Sequence, residues 1–462
     1  MSEAKIEHDK EGRIAQGLTH ALADYSSALR FEDIPDDVRT IVKHCVLDWL
    51  GVTLAGSRED AGRIVREEAL EQGGSPQATI VGAGVRTSVG QAALVNGTAS
   101  HALDYDDVHF AFLGHPTVTV LPAVLALGER DGASGRALVT AFVAGVEAGS
   151  RIGAYVTEAH YARGHHATGT LGAFAAAAGS ARLLGLDAHR CATALGIAAT
   201  QAAALKAMFG TMCKPLHAGK AAANGQYAAL LAARGFTSRD DAIECSQGFA
   251  DTQTPVVEPE DALADFGKRF HCRDFLFKYH AACYGTHSSI EALSKLREDH
   301  GIESNSISKV EIRVPTRNLK VCNIQEPHTG LEAKFSLRFV SAMTLAGRNT
   351  ADIATYNDAI CSERELIDLR DRIRIVGDGE LARGTSEVIV SMRDGVVYRE
   401  FGNVSVASSN LEEQGRRLED KFLVLANPVV GDARSREIVE RVRTLEDLDA
   451  VDKLMRLSEA HD

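Results

Sequence analysis

Two stretches rich in alanine and glycine limit what this chain can fold into more than any other feature of its sequence. They read GTLGAFAAAAGSA at positions 169–181 and HAGKAAANGQYAALLAA at positions 217–233. Small side chains let helix backbones approach closely, so both stretches predict buried, tightly packed central helices. The longest run of this kind, 168–181, is shorter than the about 20 residues that a membrane-spanning helix needs. Helices with such small side chains also suggest that a partner subunit completes the packing.

The first 260 residues carry helical patterns almost throughout. In 36–55, for example, apolar residues recur at the spacing that places them on one face of a helix. The predicted helices are 36–55, 88–103, 117–129, 133–156, 168–184, 187–205 and 217–234.

After about residue 270 the pattern changes to that of a mixed structure. The segments 308–315 and 372–378 alternate as strands do, and Asp394-Gly395 between two alternating runs predicts a hairpin. The segment 331–347 predicts a helix between the strands. The sequence therefore predicts a mostly α protein. A large all-helical domain, 1–270 with 406–462, holds a smaller α+β lid domain, 271–405, inserted toward the C-terminal half.

The charge balance limits the partners. The 462 residues include 50 Lys and Arg against 63 Asp and Glu, a net charge of −13. Such a chain is not expected to bind nucleic acid or an anionic membrane as its main partner. A small anionic substrate is still compatible, because a local cluster of basic side chains outweighs distant acidic ones.

The cysteines and the N-terminus indicate the compartment. Eight cysteines are scattered without paired spacing, which is typical of reduced thiols and not of a disulfide framework. The opening segment MSEAKIEHDKEGR is charged and lacks the apolar core of a signal peptide. We therefore expect a cytoplasmic enzyme.

Histidines are the first indication of function, because 11 of the 17 lie between positions 101 and 287. Histidine titrates near neutrality and is the usual proton-transfer side chain. In NGTASHALDYDDVHFAFLGHP (96–116), Asp104 and His115 favour a functional role, because a helix precedes them and a Pro turn follows. For Asp106 and Asp107 the pattern favours a solvated loop with capping aspartates.

Two further segments place basic residues at helix starts. In ARGHHATGT (162–170) the adjacent His165 and His166 face different sides, and a capping role competes for His165. The helix opened by Thr168 presents N–H groups suited to an anion. In MCKPLHAGKAAANG (212–225), Lys214 and His217 share a helix face, and a lysine there requires an anion nearby.

The fourth segment, FKYHAACYGTHSSIEAL (277–293), begins the smaller domain. Lys278 lies in an apolar context, which favours a functional role. Cys283 and His287 are four residues apart and would meet on a helix as a thiolate–imidazole pair. A buried thiol beside a core histidine explains the same spacing equally well.

Standard cofactor and metal motifs do not match. ATIVGAGVRT (78–87) begins like a dinucleotide fingerprint, but Thr87 replaces the third glycine. No Walker loop or zinc-protease helix occurs, and the histidine spacing fits no standard metal site. Acid–base chemistry without metal or cofactor is the simplest interpretation.

Taken in order, these segments resemble one family over essentially the whole chain. NGTASHALDYDD, the Gly-His-Pro turn, GHHATGT, KPLHAGKAAANG and KYHAACYGTH are similar to motifs of the MmgE/PrpD family of 2-methylcitrate dehydratases and cis-aconitate decarboxylases. The resemblance implies a cofactor-independent dehydratase, decarboxylase or epimerase of small di- and tricarboxylates. It also implies a helical domain with a smaller α+β lid, usually as a homodimer.

Carried over by position, the resemblance assigns residues to the family's pocket. Lys214 and Lys278 would bind anionic oxygens, and His115 and His166 would be acid–base candidates. Asp104 would orient a histidine or act as base, and Cys283 is a possible second base. The substrate-binding candidates are His101, His217 and His287. The family's decarboxylases carry a threonine at the position of Val108 and a histidine at that of Cys283.

The favoured function is a 2-methylcitrate dehydratase-like hydro-lyase. The alternatives are an epimerase of a substituted succinate (iminodisuccinate epimerase-like), then a cis-aconitate decarboxylase, then a non-catalytic carboxylate binder or helical scaffold. A hydrolase with Cys283 as nucleophile and His287 as base is more remote. It would be excluded by unchanged activity of Cys283→Ala.

Overall fold

A computed structural model describes residues 17–460 of the protein. The chain divides into two compact units. The first comprises the described residues up to Phe275 and those from Ser409 onwards, and the second comprises Leu276–Ser408. The opening segment, for which the sequence predicts no targeting signal, and the last two residues of the polar tail lie outside the described residues.

The first unit is built almost entirely of helices. A short antiparallel pair, Ala78–Thr79 (β1) with Arg86–Thr87 (β2), replaces the fingerprint-like turn. The helices are Leu18–Ala28 (α1), Asp36–Gly56 (α2), Asp60–Gln72 (α3), Val89–His101 (α4), Thr117–Asp131 (α5), Gly135–Ala162 (α6), Ala167–Leu183 (α7), Ala188–Ala199 (α8), Cys213–Ala233 (α9), Phe249–Gln253 (α10) and Pro259–Leu263 (α11).

The alanine- and glycine-rich stretches form the centre of this unit, as predicted. Helix α9 packs against α7 and α4, and α7 also packs against α6. A methyl group on Gly225 of α9 would lie 2.6 Å from the Ala176 Cβ of α7. Real carbon atoms do not approach so closely, so the two helices cross where only a glycine fits.

Helix α6 is long and apolar enough to cross a membrane by composition alone, but 89% of its most apolar window is buried inside the protein. Ser134 caps its N-terminus, because the Ser134 side chain accepts a hydrogen bond from the Ala137 N–H. Near its end, Thr157 has φ 58° and ψ −179°, which interrupts the helix before the turn that carries His160.

The second unit holds a four-stranded sheet in the order β4-β3-β5-β6. The strands β3 and β4 are parallel, and the other neighbours are antiparallel. The helices of this unit are Tyr284–His300 (α12), Gly330–Ala333 (α13), Leu337–Leu345 (α14) and Arg364–Arg370 (α15). The strands are Ile307–Pro315 (β3), Ile373–Asp378 (β4), Thr385–Met392 (β5) and Val397–Asn403 (β6).

The core of this unit follows from strand alternation. Val310, Ile312 and Val314 of β3 point to one face and pack with Val388 and Val390 of β5. Both predicted strands and the hairpin at Asp394-Gly395 are confirmed. The predicted helix at 331–347 is divided, because the Ser336 side chain caps α14 and ends the preceding turn.

The chain then returns to the first unit with the helices Leu411–Val430 (α16), Asp432–Arg443 (α17) and Asp452–Met455 (α18). Helix α16 packs against α2. The mostly α fold with a small α+β part agrees with the prediction. The prediction was wrong in extending the helix at 187–205, which ends at Ala199, and in starting the next helix at 217, since α9 begins at Cys213.

Candidate active site

The loop after α4 is shaped by unusual backbone conformations. Helix α4 ends at His101, and Asp104 then has φ 51°, in the left-handed region that aspartate tolerates better than most residues. Gly114 approaches the start of α7 so closely that a methyl group there would lie 2.6 Å from Thr168 Oγ1. The next residue, His115, donates its backbone N–H to the same oxygen at 3.3 Å.

Asp106 connects two histidines. One of its carboxylate oxygens lies 3.0 Å and the other 3.1 Å from His101 Nδ1. The second oxygen is also 2.9 Å from His115 Nδ1. Asp106 and Asp107 are each only 1% exposed, so the predicted solvated loop was wrong for both. Sequence reasoning could not see this burial, because it depends on imidazoles and helices that fold around the loop.

Lys214, in the first turn of α9, meets Asp104. Its Nζ lies 2.9 Å from Asp104 Oδ1, which in turn is 4.0 Å from His115 Nε2. The sequence indicated that a lysine at this helix start needs an anion, and the structure supplies the Asp104 carboxylate. Both side chains are partly accessible, Asp104 at 25% and Lys214 at 16%, so the pair can be reached by a small molecule.

His166 and His217 complete the group. His166 is the residue before α7, and its Nδ1 lies 3.0 Å from His217 Nδ1 on α9. One of the two nitrogens must carry a proton for the other to accept it. His165, by contrast, stacks on His160 with ring centres 4.5 Å apart, as the capping alternative for it allowed.

The rings lie against one another. The His101 ring centre is 4.7 Å from that of His115 and 5.9 Å from that of His166. Phe209 meets the His166 ring edge-on at 4.9 Å. The structure thus brings together six candidates from the first unit, which we call the histidine cluster: Asp104, His101, His115, His166, Lys214 and His217, with Asp106 beneath them.

Burial and charge set the protonation of this cluster. Burial is the main cause that lowers the pKa of His166 well below its ordinary value, and the neighbouring His101 and Lys214 lower it further. Burial and Lys214 also lower the pKa of His217. Burial alone would raise the pKa of Asp106, but His101 and His115 outweigh it and hold that pKa well below the ordinary value. These shifts favour the neutral imidazole of His166 and of His217 and the ionised carboxylate of Asp106.

A second buried polar group lies on the far side of the loop. The Lys421 ammonium on α16 pairs with Asp48 of α2 at 2.6 Å and donates to the backbone oxygen of Tyr105 at 2.7 Å. Burial first, and the Asp48 charge second, raise the pKa of Asp107 well above its ordinary value. Burial thus favours the neutral acid form of Asp107, whereas Asp106 is held as a carboxylate.

Lys278, Cys283 and His287 belong to the second unit. Lys278 is 1% exposed, and its charge, after burial and His280, lowers the pKa of His287. His287 donates from Nε2 to the backbone oxygen of Ala282 at 3.1 Å. Cys283 is the N-cap of α12 and has non-helical angles, so the prediction that Cys283 and His287 lie within one helix was wrong.

Four side chains of the histidine cluster have ligand atoms within 4.8 Å of one another: His101, Asp104, Asp106 and His115. Their arrangement is that of an internally paired group, because Lys214 faces Asp104 and the two Nδ1 atoms face Asp106. In the other such group, both ring nitrogens of His109 are engaged, with the His271 carbonyl and the Phe112 N–H.

Buried neutral imidazoles, an ionised carboxylate and a lysine, carried by the ends of packed helices, form the kind of site that moves protons on an anionic substrate. The MmgE/PrpD N-terminal domain matches residues 20–260, and the MmgE/PrpD C-terminal domain matches residues 280–447. The chain belongs to the MmgE/PrpD family.

Curated relatives extend over nearly the whole chain. Cis-aconitate decarboxylase of Homo sapiens is 26% identical over 453 residues, covering 94% of this chain and 93% of its own. Cis-aconitate decarboxylase of Aspergillus terreus is 26% identical over 473 residues, covering 96% of each chain. The cis-aconitate decarboxylase-like protein oryM of Aspergillus oryzae is 32% identical over 303 residues, covering 61% of this chain and 62% of its own.

Proposed function

We propose that this protein is a cofactor-independent lyase that removes a proton next to a carboxylate in a small di- or tricarboxylate. Its favoured reaction is the elimination of water, as in a 2-methylcitrate dehydratase-like hydro-lyase. The observation that carries the proposal is the histidine cluster, where a lysine, a partly accessible carboxylate and neutral imidazoles meet within hydrogen-bonding distance.

His115 is assigned as the base. Its Nδ1 lies 2.6 Å from the Asp107 carbonyl oxygen and 2.9 Å from Asp106, and both of these groups only accept hydrogen bonds. The Nδ1 therefore carries the proton of the neutral ring, which leaves a lone pair on Nε2. That lone pair takes the proton from the carbon next to the substrate carboxylate.

Lys214 stabilises the charge that develops. Removing this proton moves negative charge onto the adjacent carboxylate, and an ammonium aimed at its oxygens lowers the barrier. Asp104 holds the ammonium in place at 2.9 Å before substrate binds. Because this pair is partly exposed, a substrate carboxylate can join it without displacing a buried charge.

His166 and His217 are assigned to the leaving group. One ring donates its Nδ1–H to the other across 3.0 Å, so the accepting ring carries its own proton on Nε2 and gives that proton to the hydroxyl that departs as water. The carbon–hydrogen and carbon–oxygen bonds break and an alkene forms. His115 then releases the abstracted proton to solvent, and the histidine pair takes one proton up from solvent, which restores the site. An epimerase is the second candidate, because the histidine cluster holds in His166 a second acid–base group that would return a proton to the carbon.

Decarboxylation of cis-aconitate ranks third, because the resemblance implies two departures from the decarboxylases of the family. Val108 is buried at 4% exposure and offers no hydroxyl where the resemblance implies a threonine. Cys283 offers a thiol where it implies an imidazole. A changed hydrogen-bonding group at a substrate-binding position changes which substrate oxygens are paired.

The test is proton NMR of the purified protein in D₂O with EDTA, using 2-methylcitrate, citrate, cis-aconitate and substituted succinates. An alkene signal with deuterium entering next to a carboxylate supports the hydro-lyase. Exchange with inversion and no alkene supports the epimerase. Loss of carbon dioxide from cis-aconitate supports the decarboxylase, and silence across the panel contradicts proton abstraction and supports a carboxylate binder.

Alanine variants, with one matched control variant, test the roles assigned to His166 and Lys214. His166→Ala and Lys214→Ala should each lower turnover by about 10²-fold or more, because each removes a group that acts on the transition state. His165→Ala, one residue away but stacked on His160, should keep most of the turnover. Near-normal turnover in His166→Ala or Lys214→Ala would contradict the assignment.

The resemblance extends the proposal to three further points. The buried Lys278 is assigned a carboxylate-binding role, which Lys278→Met tests through a raised KM. We also propose a homodimer, measured by sedimentation equilibrium, and a cytoplasmic location.

A further inference from the structure

Asp106 is the buried carboxylate around which the histidine cluster is arranged. It is 1% exposed, and it lies in the loop between α4 and α5. A carboxylate removed from water in this way needs hydrogen-bond donors on its oxygens, because burial alone would drive it to take up a proton. The donors supplied here are two imidazole rings.

The first ring is that of His101. Its Nδ1 lies at 3.0 and 3.1 Å from the two oxygens of Asp106, so its N–H is within hydrogen-bonding distance of both. Because an ionised carboxylate only accepts hydrogen bonds, the Nδ1 of His101 carries the proton. Its Nε2 is buried and makes no hydrogen bond within the described residues 17–460.

The second ring is that of His115, which reaches the same carboxylate through its own Nδ1 at 2.9 Å. The Asp107 carbonyl oxygen, 2.6 Å from this Nδ1, accepts from the same N–H. Since both groups near this Nδ1 only accept hydrogen bonds, an unprotonated Nδ1 is disfavoured at this position. The Nε2 of His115 then points to the side where Asp104 Oδ1 lies, 4.0 Å away.

The two rings are thus tied to one anion and to each other, with ring centres 4.7 Å apart. We propose that Asp106 is the positioning residue of this site, which fixes His101 and His115 together in the Nδ1–H tautomer and so presents two unprotonated Nε2 atoms. This inference rests on the proposed function for its kinetic consequence only, since the tautomers are a property of the protein without substrate.

An amide at position 106 would break this arrangement without changing its size. The asparagine oxygen accepts one N–H, but its NH₂ group can only donate. His101 Nδ1, which lies within 3.1 Å of both carboxylate oxygens, would face this donor and its ring would move the proton to Nε2. The Asp107 carbonyl oxygen would still accept the N–H of His115. Loss of a group that orients an imidazole costs about 10–100-fold in activity where the imidazole is a metal ligand, and we expect a loss near the upper end here. Substrate binding by Lys214 and Asp104 is untouched.

The first experiment reads the tautomers directly. The full-length protein labelled with ¹⁵N-histidine is examined at pH 7, and the His101 and His115 signals are assigned by their loss in His101→Gln and His115→Gln. We expect a protonated Nδ1 and an unprotonated Nε2 on both rings. A proton on Nε2 of either ring in the parent protein overturns the proposal, whether or not a substrate has been found.

The second experiment compares Asp106→Asn with Asp107→Asn. The variants differ by one position, and both carboxyls are buried, but the charges acting on the Asp107 carboxyl come from Asp48, Asp106 and Lys421 and not from an imidazole. Asp106→Asn should lower kcat about 10²-fold with little change in KM, and one ring should change tautomer. Asp107→Asn should keep the parent tautomers and most of the turnover.

The two readouts separate the possible failures. If the parent acts on no acid in the panel, the proposed function fails, and the nitrogen spectra still decide the role of Asp106. If Asp106→Asn keeps both tautomers and the parent kcat, Asp106 is only a structural residue and the inference fails. If Asp106→Asn does not fold, the spectra of the parent protein alone give the decision.

Discussion

Replacing Gly97 by alanine tests whether close helix packing sets the geometry of the site. Gly97 lies in α4, four residues before His101, and faces α9, which carries Lys214 and His217. A methyl group at this position would lie 2.8 Å from the Gly219 Cα and 3.2 Å from the Val118 backbone oxygen. Both neighbours are backbone atoms, so no side chain can swing away to make room.

The expected cost follows from these distances. Carbon atoms in ordinary contact stay at least about 3.4 Å apart, so α4 and α9 must separate by roughly 0.6–1 Å at the crossing. Overpacking of this kind costs about 1–3 kcal/mol, of which the better helix propensity of alanine returns up to about 1 kcal/mol. A shift of about 1 Å between catalytic groups lowers turnover by roughly 10²-fold. We therefore expect Gly97→Ala to fold, with lower stability and a much larger loss of activity.

The control is Gly90→Ala in the same helix. The nearest atom to a methyl group there is Gln226 Oε1 at 3.9 Å, which is ordinary contact. Thermal and urea midpoints, with turnover on the substrate found by NMR, are measured for both variants and the parent. Gly90→Ala should match the parent or be slightly more stable. If Gly97→Ala keeps the turnover and midpoint of Gly90→Ala, the helix crossing does not determine the spacing of the site.

Three further predictions concern the surroundings of the cluster. Asp107→Asn should stabilise the protein increasingly as pH rises above about 4, by up to about 1.4 kcal/mol per pH unit, because burial raises the pKa of this carboxyl in the folded state above its value in the unfolded chain. Urea midpoints that differ equally at pH 5 and 8 would contradict this. Lys421→Met should cost about 3–5 kcal/mol at pH 7 by leaving Asp48 buried without its cation. That deficit should shrink at pH 5 as Asp48 takes up a proton, and urea unfolding at both pH values checks it. Gly114→Ala should lower turnover strongly while its thermal midpoint changes little, since its methyl group would press on Thr168 and move the loop that carries the site. A large fall in the thermal midpoint with turnover unchanged at lower temperature would count against this.

Much of the fold could be predicted because it is encoded in short segments of the sequence. The alanine-rich helices and strand β3 follow from the spacing of apolar residues within each segment. Helix ends were predicted less well, because they depend on single contacts. The Ser336 cap divides a run that reads as one helix, and α8 ends at Ala199 although the apolar pattern continues.

The site was predicted in part for the same reason. Lys214 was recognised because a cation at a helix start needs an anion, and the structure supplies Asp104. Asp106 was missed because two adjacent aspartates in a loop suggest solvent, and only the imidazoles that fold over them make burial tolerable. The difference between Asp106, ionised under two N–H donors, and Asp107, neutral beside another carboxylate, arises entirely from tertiary neighbours.

Packing and chemistry in the first unit have one common cause. The residues of the histidine cluster come from the end of α4, the start of α7 and the start of α9, which are far apart in sequence. Their side chains meet within hydrogen-bonding distance only because the helices behind them cross at glycine and alanine. Helices with larger side chains usually pack with their axes about 8–10 Å apart. At that spacing Lys214 would be separated from Asp104. The small residues that first limited the fold are therefore also a requirement for the acid–base site, and a variant such as Gly97→Ala should reveal both roles at once.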